Sequence, residues 1–172
     1  MKVRCEEAKQ ETKQGAIFDR TKTYRYSLWR SWDDDKPRVA FVMLNPSTAD
    51  AESNDPTLRR CIGFAQTWGY GSLVVVNLFA LRATHPAQLR QVRDPIGQEC
   101  DRHILAAVST ADCTVVAWGN GGHLKGRDRI VQKLISRELT GTAHCLGVNR
   151  SGQPRHPLYA RADSPLMLFD AV

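Results

Sequence analysis

The chain has 172 residues, of which 42% are hydrophobic and 24% charged, as is ordinary for one globular domain with a buried core. It contains no run of about 18 apolar residues, which excludes a membrane-spanning helix, and its first residues lack the apolar segment of a signal peptide. The net charge of +6 favours polyanionic partners without identifying them. We therefore expect a single cytoplasmic domain over residues 1–172.

The five cysteines predict neither disulfide bonds nor a metal site. They are widely spaced, and none forms a Cys-x-x-Cys motif or a zinc-type spacing with histidine. Cysteines with apolar neighbours in a cytosolic chain are typically reduced core residues. We accordingly expect no metal and no cofactor.

The first quarter of the chain predicts two strands. Residues 1–21 are charged and lack clear periodicity, so we expect an irregular N-terminal segment. In 23–32, aromatic or apolar residues alternate with polar ones, which is typical of a half-buried edge strand. After a turn over 33–37, the apolar residues 38–44 predict a buried strand.

A helix and a third strand follow. Asp55 before Pro56 is typical of an N-cap with proline at the first helical position. Apolar residues then recur at helical spacing until Gly69 ends the pattern. The run 72–78 is almost continuous leucine and valine, as in a parallel strand covered on both faces.

The second half of the chain alternates helices and strands. Helical spacing predicts helices over 86–93, 98–108 and 127–139, and apolar runs predict strands over 112–118 and 142–147. Two strands followed by alternating helices and strands are typical of an α/β fold. We therefore predict a three-layer αβα sandwich with a mostly parallel central sheet.

Polar or glycine-rich residues follow every predicted strand from the second onward. They are Asn45-Pro46, Asn77, Gly119-Asn120 and the loop 149–159. The carboxyl ends of parallel strands share one edge of a sheet, and ligands of open α/β sheets bind at that edge. We therefore predict one composite pocket, and its two asparagines favour recognition of hydrogen-bonding edges over metal binding.

Four segments in chain order carry a resemblance to a known superfamily. They are Leu44–Ser47, with Asn-Pro after a strand; Val74–Ala83, where a strand ends in Asn77; Val115–Gly119, where a strand meets glycine; and Arg155–Tyr159, a His-Pro loop. Several motifs in order are more specific than any one of them. Over residues 38–160 the chain resembles the uracil-DNA glycosylase superfamily, and within it the chain is similar to the uncharacterised DUF1643 family.

The resemblance implies a uracil-DNA glycosylase-like fold and cleavage of an N-glycosidic bond at a damaged or modified base in DNA. It implies that His156 is a neutral donor that stabilises charge on the departing base. It also implies that Asn45 positions a water molecule and that Asn77 pairs with a Watson–Crick edge. Because an asparagine stands where fast enzymes have an aspartate, and an amide cannot take a proton, we expect a slow hydrolase.

Further residues are assigned to the site by the same motifs. We expect contacts to the base or ligand from Pro46, Ser47, Gly119, Asn120, Leu158 and Tyr159. The pair Leu158-Tyr159 is a candidate wedge beside an extruded nucleotide. We expect phosphate contacts from Arg59, Arg60, Arg82 and Arg155.

Each of these residues has a structural alternative. Asn45 also suits a turn that ends a strand, Asn77 suits a role in satisfying loop backbone, and His156 suits an ordinary surface loop. Two other functions stay open as well: a non-catalytic protein that binds a nucleotide or modified base, and an enzyme that acts on a free nucleotide or nucleoside. The expected partner is nucleic acid, in the first place DNA, or a nucleotide, with no membrane; the oligomeric state is open.

Overall fold

The computed structural model describes residues 13–139 and 141–170, which form a mixed α/β structure. Its strands are β1 (Lys13–Phe18), β2 (Arg25–Ser31), β3 (Arg38–Met43), β4 (Ser72–Asn77), β5 (Cys113–Val116), β6 (His144–Cys145) and β7 (Met167–Leu168). They form one sheet in the order β1-β2-β4-β3-β5-β6-β7.

Three α-helices connect the central strands of the described chain. They are α1 (Pro56–Thr67), α2 (Cys100–Thr110) and α3 (Arg127–Ile135). Short 3-10 helices cover Pro86–Arg90, Asn120–Gly126 and Pro157–Tyr159. Across these described ranges, no helix combines the length and apolar character needed to cross a membrane.

The sheet is mixed, and the expected mostly parallel sheet is not confirmed. β3 runs parallel to β4 and β5, and β5 runs parallel to β6, whereas the other three pairs of neighbouring strands are antiparallel. The reason lies at the start of the described chain, where no helix precedes β3. A parallel neighbour requires a long crossover connection, while an antiparallel pair such as β1 and β2 needs only a short turn.

Two expectations about the N-terminal region are wrong for the described residues. Residues 13–18, placed in an irregular segment by their composition, form β1 and pair with β2; residues 1–12 lie outside the described chain. β2 is therefore an inner strand between β1 and β4, not an edge strand. Backbone pairing decides this position, and the side-chain pattern of β1 does not show it.

The helices cover both faces of the sheet, as the three-layer prediction requires. Along β3, Ala40 and Val42 pack with core residues of α2 and α3, whereas Val39 and Phe41 pack with core residues of α1. All four β3 side chains are fully buried. The face that carries α1 also carries the candidate site.

The start of α1 is the one that the sequence predicts. Asp55 has extended backbone, and its Oδ1 accepts a hydrogen bond from the Leu58 amide at 2.7 Å, while Pro56 occupies the first helical position. An N-cap of this kind satisfies an amide that would otherwise lack a partner. It fixes where the first turn of α1 meets the end of β3.

The order of the parallel strands creates a crevice. After β3 the chain passes through α1 to β4, which lies on one side of β3. After β4 it passes through α2 to β5, which lies on the other side of β3. Such a reversal separates the connections at the carboxyl ends of β3 and β5. In open α/β sheets, ligands bind at this switch point.

Candidate functional site

A cavity of about 450 Å³ lies at the carboxyl ends of β3 and β5. The loop that follows β3, the first turn of α1, the residues that follow β5 and the His-Pro loop line it. Small-molecule sites in proteins typically enclose roughly 300–1,000 Å³. The cavity therefore has the position and the size of a ligand site.

Most of the residues predicted to contact a base or ligand meet in this cavity. Those that line it are Asn45, Ser47, Gly119, Asn120, His156, Leu158 and Tyr159. Pro46 and Asn77 do not line it. All four segments, which lie far apart in the sequence, thus contribute to one cavity, although Asn77 of the second segment does not line it.

The Asn45 side chain is held by two backbone carbonyls. Its Nδ2 donates to the Pro46 oxygen at 2.9 Å and to the Ala83 oxygen at 2.8 Å. Because carbonyl oxygens only accept, the atom facing them must be the amide nitrogen, and both of its hydrogens are engaged. Oδ1 is the atom left to receive a hydrogen bond from a ligand or a water molecule.

The His156 ring has a defined tautomer. Its Nδ1 accepts a hydrogen bond from the Leu158 amide at 3.2 Å, so in the neutral ring the proton sits on Nε2. Burial lowers the pKa of His156 below its ordinary value of 6.5, and the Asp55 carboxylate opposes part of this shift. At neutral pH His156 is therefore an uncharged hydrogen-bond donor through Nε2.

Hydrogen bonds to three neighbouring segments hold the His-Pro loop in place. The Gly119 amide donates to the Pro154 oxygen at 2.9 Å, and the Arg155 amide donates to the Gly147 oxygen at 2.8 Å. From α1, the Arg60 guanidinium donates to the Pro157 oxygen at 3.3 Å and also to the Ala160 oxygen. His156 is consequently carried by a loop fixed against β5 and α1.

Gly119 adopts a backbone conformation that other residues avoid. Its φ is 71° and its ψ is −168°, a region populated almost only by glycine. A Cβ atom at this position would lie 3.4 Å from the His156 Cβ atom. The glycine after β5 thus permits both the turn and the close approach of the His-Pro loop.

Asn77 is buried beside the cavity without lining it. Its side chain is 2% exposed, and among the described residues neither Nδ2 nor Oδ1 has a hydrogen-bond partner. Its register partner Met43 lines the cavity, as does Val75, two residues earlier on the same strand. A buried amide with two unpaired atoms is costly, and a contact with ligand requires these neighbours to move.

The four arginines predicted to bind phosphate lie outside the cavity lining. Arg59 donates to the Asn54 oxygen, and Arg60 holds the His-Pro loop. The guanidinium of Arg82 lies 5.1 Å from the centre of the Phe18 ring, and that of Arg155 lies against Gly147. Phosphate binding by this set stays a prediction, whereas the packing of Arg60 and Arg82 is structural.

The rim of the cavity is hydrophobic and exposed. Leu158 is 45% exposed and Tyr159 is 80% exposed, although both line the cavity. The Tyr159 ring is also 5.9 Å from the His156 ring. These positions suit contacts with a ligand that enters past the rim.

Arg25 lines the cavity and is absent from the sequence-based assignments. Tyr26 packs with the core on the α2 face, but Leu28, two residues later, packs with the core on the α1 face. The register between β1 and β2 shifts there, because Ile17 pairs with Ser27 and Phe18 pairs with Arg25. This bulge turns Arg25 toward the cavity, and strict alternation along the sequence gives no sign of it.

Asp55 is the acidic residue in the described lining of the cavity. It lines the cavity near the start of α1, and its charge acts on the pKa of both Arg25 and His156. Its Oδ1 accepts from the Leu58 amide, and its Oδ2 accepts from the Ala49 amide at 3.4 Å. The carboxylate is thus occupied by backbone donors.

No cluster of three or more metal-ligating side chains occurs in the described ranges.

Comparison with known proteins gives a family for the chain. A family model described as a protein of unknown function (DUF1643) matches residues 25–158. The chain belongs to the DUF1643 family. The DUF1643 region begins at Arg25 and contains every cavity-lining residue except Tyr159. No curated protein and no solved structure matches the chain, and its resemblance to the uracil-DNA glycosylase superfamily stays a prediction.

The Asn45→Asp substitution tests the amide contacts. It replaces a donor with a carboxylate oxygen close to the Pro46 and Ala83 carbonyl oxygens. We expect it to lower the free energy of unfolding by about 1–3 kcal/mol at neutral pH. The loss should shrink as the pH falls, because protonation of the new carboxyl restores one donor. Urea denaturation at pH 5 and pH 8 measures both effects, and equal stability to the unaltered chain at pH 8 would contradict the assigned contacts.

The Gly119→Ala substitution tests the strained turn. We expect a loss of about 1–3 kcal/mol in the free energy of unfolding, because alanine does not tolerate this φ and ψ. Gly63→Ala is the matched control, since Gly63 is exposed within α1 and an added Cβ would contact nothing within 4 Å. We expect the control to gain about 0.5–1 kcal/mol. Chemical denaturation that gives both variants the same sign would refute the assignment.

Titration of His156 tests its neutral state. We expect an NMR-measured pKa below 6.5 and nitrogen shifts typical of a ring protonated on Nε2. Because the unfolded chain then binds more protons near pH 6, His156 should reduce stability as the pH falls below about 6.5. His156→Gln should remove this component of the acid sensitivity. A pKa above 6.5 would contradict the burial of the ring.

Proposed function

We propose that this DUF1643 protein is of the uracil-DNA glycosylase type. It recognises a nucleobase in the cavity and slowly hydrolyses the N-glycosidic bond of that base. The observation that carries the proposal is the meeting of Asn45 and His156 in one cavity of ligand size. A damaged or modified base in DNA is the substrate that the resemblance implies. The exposed rim at Leu158 and Tyr159 suits an extruded nucleotide entering from that side.

His156 supplies the donor that this reaction requires. As the bond between the sugar and the base nitrogen breaks, its electron pair moves into the base and negative charge builds on a base oxygen. Because His156 is uncharged, its Nε2–H donates a hydrogen bond to such an oxygen with the ring in its ordinary state at neutral pH. A pre-organised donor of this kind typically stabilises the transition state by about 3 kcal/mol.

Asn45 supplies an acceptor and no base. Its Oδ1 can accept a hydrogen bond from a water molecule and so orient the water oxygen toward the sugar carbon. The amide cannot take the proton of that water, and the nearby Asp55 carboxylate is already bonded to backbone amides. Attack on an oxocarbenium-like sugar requires little help from a base, and the proton that the water loses passes to the departing base anion. Without a side chain to take that proton directly, the arrangement favours a slow reaction.

The placement of the arginines favours a second candidate function. None of the four arginines expected to contact a DNA backbone lines the cavity, and two of them are bonded to or packed against other parts of the protein. A free nucleotide or nucleoside requires no such backbone contacts. The second candidate is therefore an enzyme for, or a non-catalytic binder of, a free nucleotide.

Excision assays test the catalytic proposal. The substrates are single-stranded and duplex oligonucleotides that contain uracil, hypoxanthine or 5-hydroxymethyluracil, together with the corresponding nucleosides. We expect slow release of at least one base under single-turnover conditions. His156→Ala should reduce the rate by about 100-fold, as is typical for loss of one oxyanion donor, and Asn45→Ala should also slow release.

His85→Ala is the control, because His85 is exposed and does not line the cavity. It should leave the rate unchanged. Binding of nucleosides without any release of base would favour the non-catalytic candidate. Neither binding nor release with any substrate would refute nucleobase recognition altogether.

A further inference from the structure

Arg25 is a buried cation with most of its donors unused. Its side chain is 4% exposed, and its only hydrogen bond within the described chain runs from Nη1 to the Ala49 oxygen at 2.7 Å. Nε is buried and has no partner in the part of the chain that the structure describes. A guanidinium offers five N–H donors, and burying it without pairing them is costly. Arg25 lines the cavity, and its Nη2 group is neither fully buried nor bonded to the described chain, so a ligand in the cavity can supply acceptors to it.

The charges around Arg25 leave one positive charge in excess. The carboxylates that act on it are Asp55 and Asp50, and the guanidinium groups are its own and those of Arg30 and Arg82. None of the described salt bridges includes Arg25. Burial lowers the pKa of Arg25 to about 10, so the group stays charged at neutral pH. An anionic ligand would balance this excess.

Other donors belong to the lining of the cavity. The hydroxyl-bearing residues Ser47, Thr48, Thr57 and Thr84 line the same cavity as Arg25, and Thr57 belongs to the first turn of α1. The start of a helix carries partial positive charge and favours phosphate groups. Asp55 caps this helix and takes up the Leu58 amide, and its negative charge offsets part of this field, so the guanidinium of Arg25 is the main attraction for an anion. Hydroxyl donors combined with a guanidinium fork match the oxygens of a phosphate.

The two ends of the cavity are separated by the width of several strands. Arg25 lies on β2, and His156 lies against Gly119 after β5. In the sheet, β2 and β5 are three strand spacings apart, or about 14 Å at roughly 4.8 Å per spacing. A nucleoside monophosphate can extend over most of such a span. Its base would then lie near His156 and its phosphate near Arg25.

We propose that the Arg25 end of the cavity binds the phosphate of a free nucleoside 5′-monophosphate, whose base lies at the Asn45 and His156 end. The base assignment rests on the proposed function, whereas the anion site rests on Arg25 alone. The buried position of Arg25 favours a small free nucleotide over a continuous DNA strand. This phosphate site would make a free nucleoside 5′-monophosphate the substrate class of the second candidate function.

Calorimetric titration tests the proposal on the full chain. The ligands are the common nucleosides and deoxynucleosides, including deoxyuridine and deoxyinosine, and the 5′-monophosphate of each. We expect at least one monophosphate to bind ten times or more tightly than its own nucleoside. Arg25→Gln should abolish this advantage while leaving the affinity for the nucleoside within about twofold. This comparison also works with the unaltered chain alone, so it does not depend on the variant folding.

Two further variants separate a specific contact from general charge. Arg25→Lys keeps the charge and a donor for the Ala49 oxygen but lacks the guanidinium fork, so it should retain only part of the advantage. Arg82→Gln removes the same charge within electrostatic reach of Arg25, but Arg82 does not line the cavity. It should lower the advantage only in part, because it removes a nearby charge without removing a contact to the phosphate. An equal loss in Arg82→Gln and Arg25→Gln would overturn the phosphate contact.

The remaining outcomes distinguish this inference from the proposed function. Nucleosides that bind as tightly as their monophosphates would overturn the phosphate site and leave base recognition standing. Binding of orotate, a base with a carboxylate, that depends on Arg25 while no monophosphate gains affinity would also overturn it. If no nucleoside or nucleotide binds but inorganic phosphate raises the Tm of the unaltered chain and not of Arg25→Gln, the anion site stands and base recognition fails.

Discussion

The cavity depends on the hydrogen bonds that join the Asn45-Pro46 turn to Ala83. The Asn45 amide bridges the Pro46 and Ala83 oxygens, and the Ala83 amide donates back to the Pro46 oxygen at 2.9 Å. These contacts fasten the end of β3 to the segment that follows β4, and the loop leading to α1 starts from this point. An amide can make them and a carboxylate cannot. The asparagine is therefore required by the architecture of the site, whatever chemistry occurs there.

Much of the central fold follows from local sequence signals. The apolar run of β3, the leucine and valine run of β4, and the Asp55-Pro56 start of α1 each depend on contacts within a few residues. The meeting of Asn45 and His156 was also predictable, because strand ends of a parallel sheet share an edge. These predictions succeed where one residue's environment is set by its neighbours in the chain.

The failures come from pairing between distant segments. The composition of residues 13–18 does not reveal that they form β1, and the alternation in β2 does not reveal the bulge at Tyr26. That bulge alone decides that Arg25 faces the cavity. The arginines near strand ends were expected to be free for phosphate, but Arg60 turns to carbonyl oxygens of the His-Pro loop. The sequence shows that a charged side chain is present but does not show which way that side chain points.

Helix α1 contributes to both walls of the cavity. Its N-cap is Asp55 and its first turn contains Thr57, and farther along the helix Arg60 donates to the loop that carries His156. The helix therefore both lines the cavity and holds the loop that carries His156. Proteins open locally in cooperative units rather than residue by residue. If α1 detaches from the sheet, both walls lose their support together, so opening of this helix and dismantling of the cavity are a single event.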